Sequence, residues 1–277
     1  MFNFNDVHVV ACCYSFTAQE LRVALIQLAL KLKIRFVGVI VDNKRRELPA
    51  DDGDWIFIHG SNSDHDFSAY LEGLSRSTAL TEVILFLNDS LFISRGAFVN
   101  LRELMYYKNL LAQLQVPAIC GRTDRYTMLC HRNVWSHLPM YVSSYGFMLN
   151  RFAFATLLAL PSYADTDGVR RDLDVSHKNW GANLPANFRE FIRAFIQYGH
   201  PAFAWPGLRR YAVDERLFAI KARCIYFEHR LSGEISRDGC LISTNTRLIP
   251  RWRIYLAEKL TSWRGLRFFQ SRIWWGR

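Results

Sequence analysis

The chain has 277 residues, half of them hydrophobic and 14% aromatic, which supplies a large core and excludes a mini-domain or a mostly disordered chain. Its formal net charge of +10 points to an anionic partner: nucleic acid, an anionic membrane surface or a phosphorylated small substrate.

Val7 to Cys13 is an apolar run of the buried-strand type. Ala18 to Lys31 has helical periodicity, with Leu21, Leu25, Leu28 and Leu32 on one stripe. Arg35 to Val41 reads as a second strand closed by Asp42-Asn43, and Lys44 to Gly53 as a turn. Trp55 to His59 is a third strand, Phe67 to Ser77 a helix, and Glu82 to Leu87 a fourth strand ending in Asn88-Asp89-Ser90. Leu101 to Leu114 is helical. Met140 to Asn150 reads as a strand, Arg151 to Leu160 as a helix, Tyr163 to Pro185 as a loop, Asn187 to Tyr198 as a helix and Pro201 to Trp205 as a short strand. Apolar strands alternating with helices predict an α/β, Rossmann-like open sheet, mostly parallel and covered on both faces. One domain over residues 1–245 is expected, with a distinct tail over 246–277.

Cys12, Cys13, Cys120, Cys130, Cys224 and Cys240 form no C-x-x-C pair, so buried thiols without disulfides are expected. The start Met1 to Asp6 lacks the features of a secretory signal, and no window holds the roughly 18 apolar residues of a membrane span. A cytoplasmic location is the expectation. Neither G-x-x-x-x-G-K-[ST] nor G-x-G-x-x-G after the first strand occurs, which argues against a P-loop ATPase and a dinucleotide enzyme.

Ligands of such sheets sit at the carboxyl ends of the strands. The polar residues at those ends are Tyr14-Ser15, Asp42-Asn43, Gly60-Ser61-Asn62 and Asn88-Asp89-Ser90, and the last three segments carry candidate chemistry. Asp42 and Asn43 can accept and donate hydrogen bonds to a base or ribose, though Asx residues after strands also simply close turns. Gly60 to Tyr70, containing Asn62 and Ser68, leads into a helix whose free N–H groups suit a phosphate, with Asp66 or Ser68 as a plain N-cap the alternative. Asn88 and Asp89 end an apolar strand, where one carboxylate can hold Mg²⁺ or Mn²⁺ against a diphosphate or merely cap a turn.

The segments VGVIVDN, GSNSDHDFSAYLEGL, FLNDSLF and YVSSYGFMLN, in this order, resemble GT-A glycosyltransferases, closest to the rhamnan-synthesis type of bacterial capsule, O-antigen and lipopolysaccharide pathways. The resemblance covers about residues 7–160. It implies a GT-A fold, a nucleoside-diphosphate sugar donor, and a glycan or lipid-linked glycan acceptor. Asp42 and Asn43 would then lie by the nucleobase or ribose, Asn62 to Ser68 would line the donor pocket, and Asp89 would stand in the place of the metal-binding Asp-x-Asp motif. Asn88-Asp89-Ser90 offers one carboxylate where that motif has two, so Mn²⁺ or Mg²⁺ dependence is left open, with Arg or Lys as the alternative counter-charge. Tyr141 to Gly146 matches the strand beneath donor sugar and acceptor.

An inverting transfer needs a base for the acceptor hydroxyl. Asp165, Asp167, Asp172, Asp174 and Glu190 are the candidates. The resemblance favours Glu190, in a first helical turn, where an acid also suits the helix dipole; Asp172 and Asp174 come next. His177, His200 and His229 read as packing or surface residues. In the tail, Trp252, Leu256, Leu260 and Trp263 share a helical face beside Arg251, Arg253, Lys259, Arg264 and Arg267. Such a basic amphipathic helix can lie on the inner membrane surface, or pack on its own domain. A nucleotidyltransferase, a non-catalytic polysaccharide-assembly protein and a basic nucleic-acid binder are the rival readings, and no nucleic-acid-binding module is recognisable.

Overall fold

Strands buried on both faces build the sheet, and helices cover it on either side. The computed structural model describes residues 6–77, 81–94, 96–126, 130–198 and 215–244. In chain order the elements are β1 (Asp6–Cys13), α1 (Ala18–Leu32), β2 (Arg35–Asp42), β3 (Trp55–His59), α2 (Asp66–Arg76), β4 (Val83–Asn88), α3 (Ser90–Ser94), α4 (Ala97–Gln113), β5 (Ala118–Arg125) and β6 (Met140–Asn150). A 3-10 turn (Arg151–Ala153) then leads to α5 (Phe154–Leu158), α6 (Leu160–Thr166), α7 (Ala186–Tyr198), α8 (Glu215–Asp238) and β7 (Cys240–Ser243).

The seven strands form one sheet in the order β3-β2-β1-β4-β6-β5-β7. Pairing is parallel from β3 through β2 and β1 to β4, antiparallel on both sides of β6, and parallel again between β5 and β7. The chain leaves β1 on one side for β2 and β3, then returns on the other side as β4. The carboxyl ends of β1 and β4 therefore form a topological switch point, where an open α/β sheet leaves a crevice.

Alternate residues of β1 feed two cores. Val7, Val9, Ala11 and Cys13 pack beneath α1 and α4, whereas Val10 and Cys12 face the side covered by α2, α7 and α8. Thr17 starts α1 with a capping box: its Oγ1 accepts from the Glu20 N–H at 3.2 Å, and Glu20 accepts from the Thr17 N–H at 2.7 Å. Gly38 lies on β2 at φ +150°, and a Cβ there would stand 2.0 Å from the carbonyl oxygen of Val9.

Several sequence expectations need correction. They omit β5, α8 and β7. β5 turns polar after Cys120, whereas the 24 residues of α8 are amphipathic and carry a helical pattern between Glu215 and Asp238. The helix expected over Arg151 to Leu160 is broken into a 3-10 turn, α5 and α6, and Pro161 sits in the first turn of α6, where it cannot continue a helix already begun. The loop expected from Tyr163 is thus helical as far as Thr166. The expected strand Pro201 to Trp205, His200 and the tail beyond residue 245 lie outside the described residues. All six cysteines are free, five of them buried. Among the described residues no helix is long and apolar enough to cross a membrane.

Candidate functional site

The loop leaving β1 is held by two carboxylates. Asp89, 2% exposed, accepts the backbone N–H groups of Tyr14, Ser15 and Phe16 on a single oxygen, Oδ2, at 2.7, 2.5 and 2.9 Å. Three successive amides converging on one point make an anion nest. Here the protein's own carboxylate fills it. Asp42, fully buried at the end of β2, binds Arg46 in a bidentate pair, Nε to Oδ2 and Nη2 to Oδ1, both 2.9 Å. Burial pushes the Asp42 carboxyl up, but Arg46 and the Lys44 N–H outweigh it and hold it below its usual range. Arg46 also donates to the carbonyls of Phe16 and, at 3.5 Å, Ser15. One acid thus grips the loop by its amides and the other, through Arg46, by its carbonyls.

The fixed loop presents Tyr14 to a polar network at the ends of β1, β2 and β4. The Tyr14 hydroxyl donates to Asn62 Oδ1 at 3.2 Å and accepts from Asn43 Nδ2 at 2.6 Å. Its ring stacks on His65 with centroids 4.4 Å apart. His65 Nδ1 lies 3.1 Å from Asp66 Oδ1, and Asn88 Nδ2 donates to Asp66 Oδ2 at 2.9 Å. Burial and the neighbouring Lys221 depress His65, so it is neutral and its Nδ1–H donates to the carboxylate. Burial raises the Asp66 carboxyl, but His65, Lys221 and Asn88 together leave it below its ordinary value, hence ionised.

The loop between β3 and α2 is strained where it meets this network. Asn62 has φ +52°, and His65 has φ +57° with ψ −128°, a region that glycine alone enters readily. No side chain caps α2 at His65. Asp66 turns to His65 and Asn88, and the Ser68 hydroxyl donates to the His65 carbonyl at 2.9 Å, so neither acts as the expected N-cap.

α8 closes the crevice with Lys221, Cys224 and Glu228, spaced three and four residues apart on one helical stripe. Burial works against the Lys221 charge, but Cys224, Asp66 and Glu228 more than restore it. Glu228 Oε1 accepts the backbone N–H of Ser144, which sits in the part of β6 between its two paired stretches. Burial pushes the Glu228 carboxyl up to about 7, with Asp124 adding to the shift.

The geometry joins Asn43, Asn62, Ser68 and Asn88 in one network and gives Asp42 and Asp89 the task of shaping its loop. It does not bring the three expected proton acceptors there. Glu190 is exposed on α7, which buries Phe188, Phe191, Ile192 and Ile196 instead. Asp172 is exposed and paired with Arg170, and Asp174 accepts the N–H of Ser176 at 2.7 Å in a turn. Asp165 is exposed, while Asp167 accepts from the Tyr226 hydroxyl at 2.6 Å and pairs with Arg230 at 2.9 Å. His177 is exposed, and His229 is buried with Nδ1 2.8 Å from the Tyr126 hydroxyl, as the packing reading expects. The α8 residues were missed because that helix was not read. A spacing of 221, 224 and 228 on a helical stripe is the signal that could have found them.

A scan against protein-family models matches none, and a search of curated proteins returns no relative. Fold and site define an α/β protein with a Rossmann-like open sheet and a polar crevice at its switch point.

Proposed function

We propose that the protein is a GT-A-type glycosyltransferase that moves a hexose or deoxyhexose, with inversion, from a nucleoside-diphosphate sugar to a growing bacterial surface glycan of the capsule, O-antigen or lipopolysaccharide kind. The observation that carries this reading is the convergence of Tyr14, Asn43, Asn62, His65, Asp66 and Asn88 at the switch-point end of the sheet. Such crevices take nucleotides, and the parallel order β3-β2-β1-β4 before the antiparallel β6 supports a GT-A-like arrangement. Stacking, amide and carboxylate groups together suit a base and ribose. The acceptor approaches over β6, and the basic aromatic stretch 246–277 rests on the inner face of the membrane, where a lipid-linked glycan would be reached.

The residues present do not fit a resident divalent ion. Asp89 Oδ2 is committed to three amides, which leaves one oxygen of that carboxylate where a divalent ion needs several hard ligands, and Asn88 is committed to Asp66 and Ser90. His65, Asp66 and Cys224 bring ligand-type atoms within 4.8 Å of one another, but both Asp66 oxygens are hydrogen-bonded and Lys221 adds a positive charge beside them. Lys221 is the counter-charge we assign to the departing diphosphate.

The test is thermal melting with UDP-, dTDP- and GDP-sugars, in EDTA and in Mn²⁺. A ligand at a hundredfold excess over its Kd stabilises by about 2.7 kcal/mol. A shift with one nucleotide class, equal in EDTA and weakened by Tyr14→Phe, is expected. No shift with any donor at millimolar concentration would sink the transferase reading and favour an assembly protein or a nucleic-acid binder, the latter recognised by salt-sensitive oligonucleotide binding.

A further inference from the structure

We infer that Glu228 is the proton acceptor of the transfer reaction, an assignment that rests on the glycosyltransferase reading. Three placements support it. Glu228 lies on the α8 stripe that also carries Lys221 and Cys224, so one helix face brings a cation and a carboxylate to the same crevice. It is fixed from one side only: Oε1 takes the Ser144 N–H, and Ser144 is its one hydrogen-bonding partner among the described residues. The side chain also keeps partial access to solvent, while Glu190, Asp172 and Asp165 are on the surface.

β6 explains how the position arises. Its ladder with β4 runs from Gly146 to Asn150, and its ladder with β5 shifts register near Gly121 and Thr123. Ser143 and Ser144 lie in the gap. The Ser143 hydroxyl turns to Asp124, the Ser144 N–H to Glu228, and the Ser144 carbonyl accepts the Tyr70 hydroxyl at 2.7 Å. A carboxylate is thereby held over the strand that the acceptor would cross.

In the step, an acceptor hydroxyl oxygen forms its bond to the anomeric carbon while that carbon's bond to the phosphate oxygen breaks. The bonding pair leaves with the nucleoside diphosphate. The hydroxyl proton passes to the Glu228 carboxylate, so charge and atoms balance. Burial raises its titration most, the Ser144 N–H and Lys221 on α8 lower it and Asp124 on β5 raises it; Tyr126 beyond β5, Tyr141 on β6, Tyr70 on α2 and Cys224 on α8 also face it. A carboxyl ionising near neutrality suits a base working at cellular pH.

The experiment uses the full chain and water as the acceptor. Nucleoside diphosphate release from UDP-, dTDP- and GDP-sugars is measured between pH 5.5 and 9, beside donor-induced melting shifts. Glu228→Gln is expected to keep the donor shift, lose at least about 100-fold in release, and lose the rise in rate that wild type shows up to about pH 7. Release within threefold of wild type, with its pH rise intact, overturns the assignment. So does loss of release in Glu190→Gln with retention in Glu228→Gln, which hands the role to Glu190. A wild type that binds a donor but releases no diphosphate at any pH also overturns it. If no donor binds, the transferase reading falls and takes the assignment with it.

Discussion

Asp89 shows how a residue picked for one chemistry can be spent on another. A carboxylate at a strand end is a reasonable metal ligand by type, yet its Oδ2 is surrounded by three backbone N–H groups. Asp89→Ala removes the buried acceptor of three part-buried amides, and a loss of about 1–3 kcal/mol is expected in urea denaturation. A loss below about 0.5 kcal/mol would mean that the nest does not need its carboxylate. Glu228 carries the opposite sign of effect. Its folded value, about 7, lies above the ordinary 4.5, so ionising it costs free energy in the folded state. That penalty is absent below about pH 4.5 and complete above about pH 7. Glu228→Gln removes it while keeping an acceptor for Ser144. The variant should therefore gain on wild type as pH rises from 5 to 8, by up to about 3 kcal/mol. A pH-independent difference between the two urea midpoints would show that the group ionises normally.

At the scale of elements, local chemistry and close packing make separate demands. The capping box of α1 is local: Thr17 and Glu20 satisfy each other across three residues. Thr17→Ala should cost about 1 kcal/mol, measured as a lowered urea midpoint with an unchanged slope. Gly38 is a packing demand that no neighbour in sequence announces. A methyl group there would meet the Val9 backbone, so β1 and β2 could not pair in their present register. Gly38→Ala should lose at least about 4 kcal/mol, and a variant of near-normal stability would refute the close approach. The strands legible in the sequence, β1 to β4 and β6, are those rich in apolar residues over most of their length. β5 and β7 are less so because β7 is only half-buried and β5 ends in Arg122 to Arg125.

Over the whole molecule, one sheet separates two cores, and residues far apart in the chain close the second. Asp64, after β3, pairs with Arg223 of α8 and Arg171 of the segment between α6 and α7. Asp64 is 1% and Arg223 3% exposed, so removing Arg223 leaves a buried carboxylate with only the solvent-exposed Arg171 as its ionic partner among the described residues. Arg223→Met should cost about 3 kcal/mol. Because both cores share the sheet, the loss should appear as one transition, with far-ultraviolet and near-ultraviolet signals coinciding. Two separated transitions would show that the α8 side unfolds by itself.

The sequence by itself determined the alternation of strand and helix, the mostly parallel sheet and the polar strand ends at Asp42-Asn43, Asn62 and Asn88-Asp89, because these depend on periodicity and short-range residue type. Only the tertiary structure decided that β6 runs antiparallel beside β4, that Asp89 faces amides, and that Lys221, Cys224 and Glu228 arrive from more than a hundred residues downstream. Those facts depend on which backbone donors and charges meet in space, and pairing across such separations leaves no periodic trace in the chain.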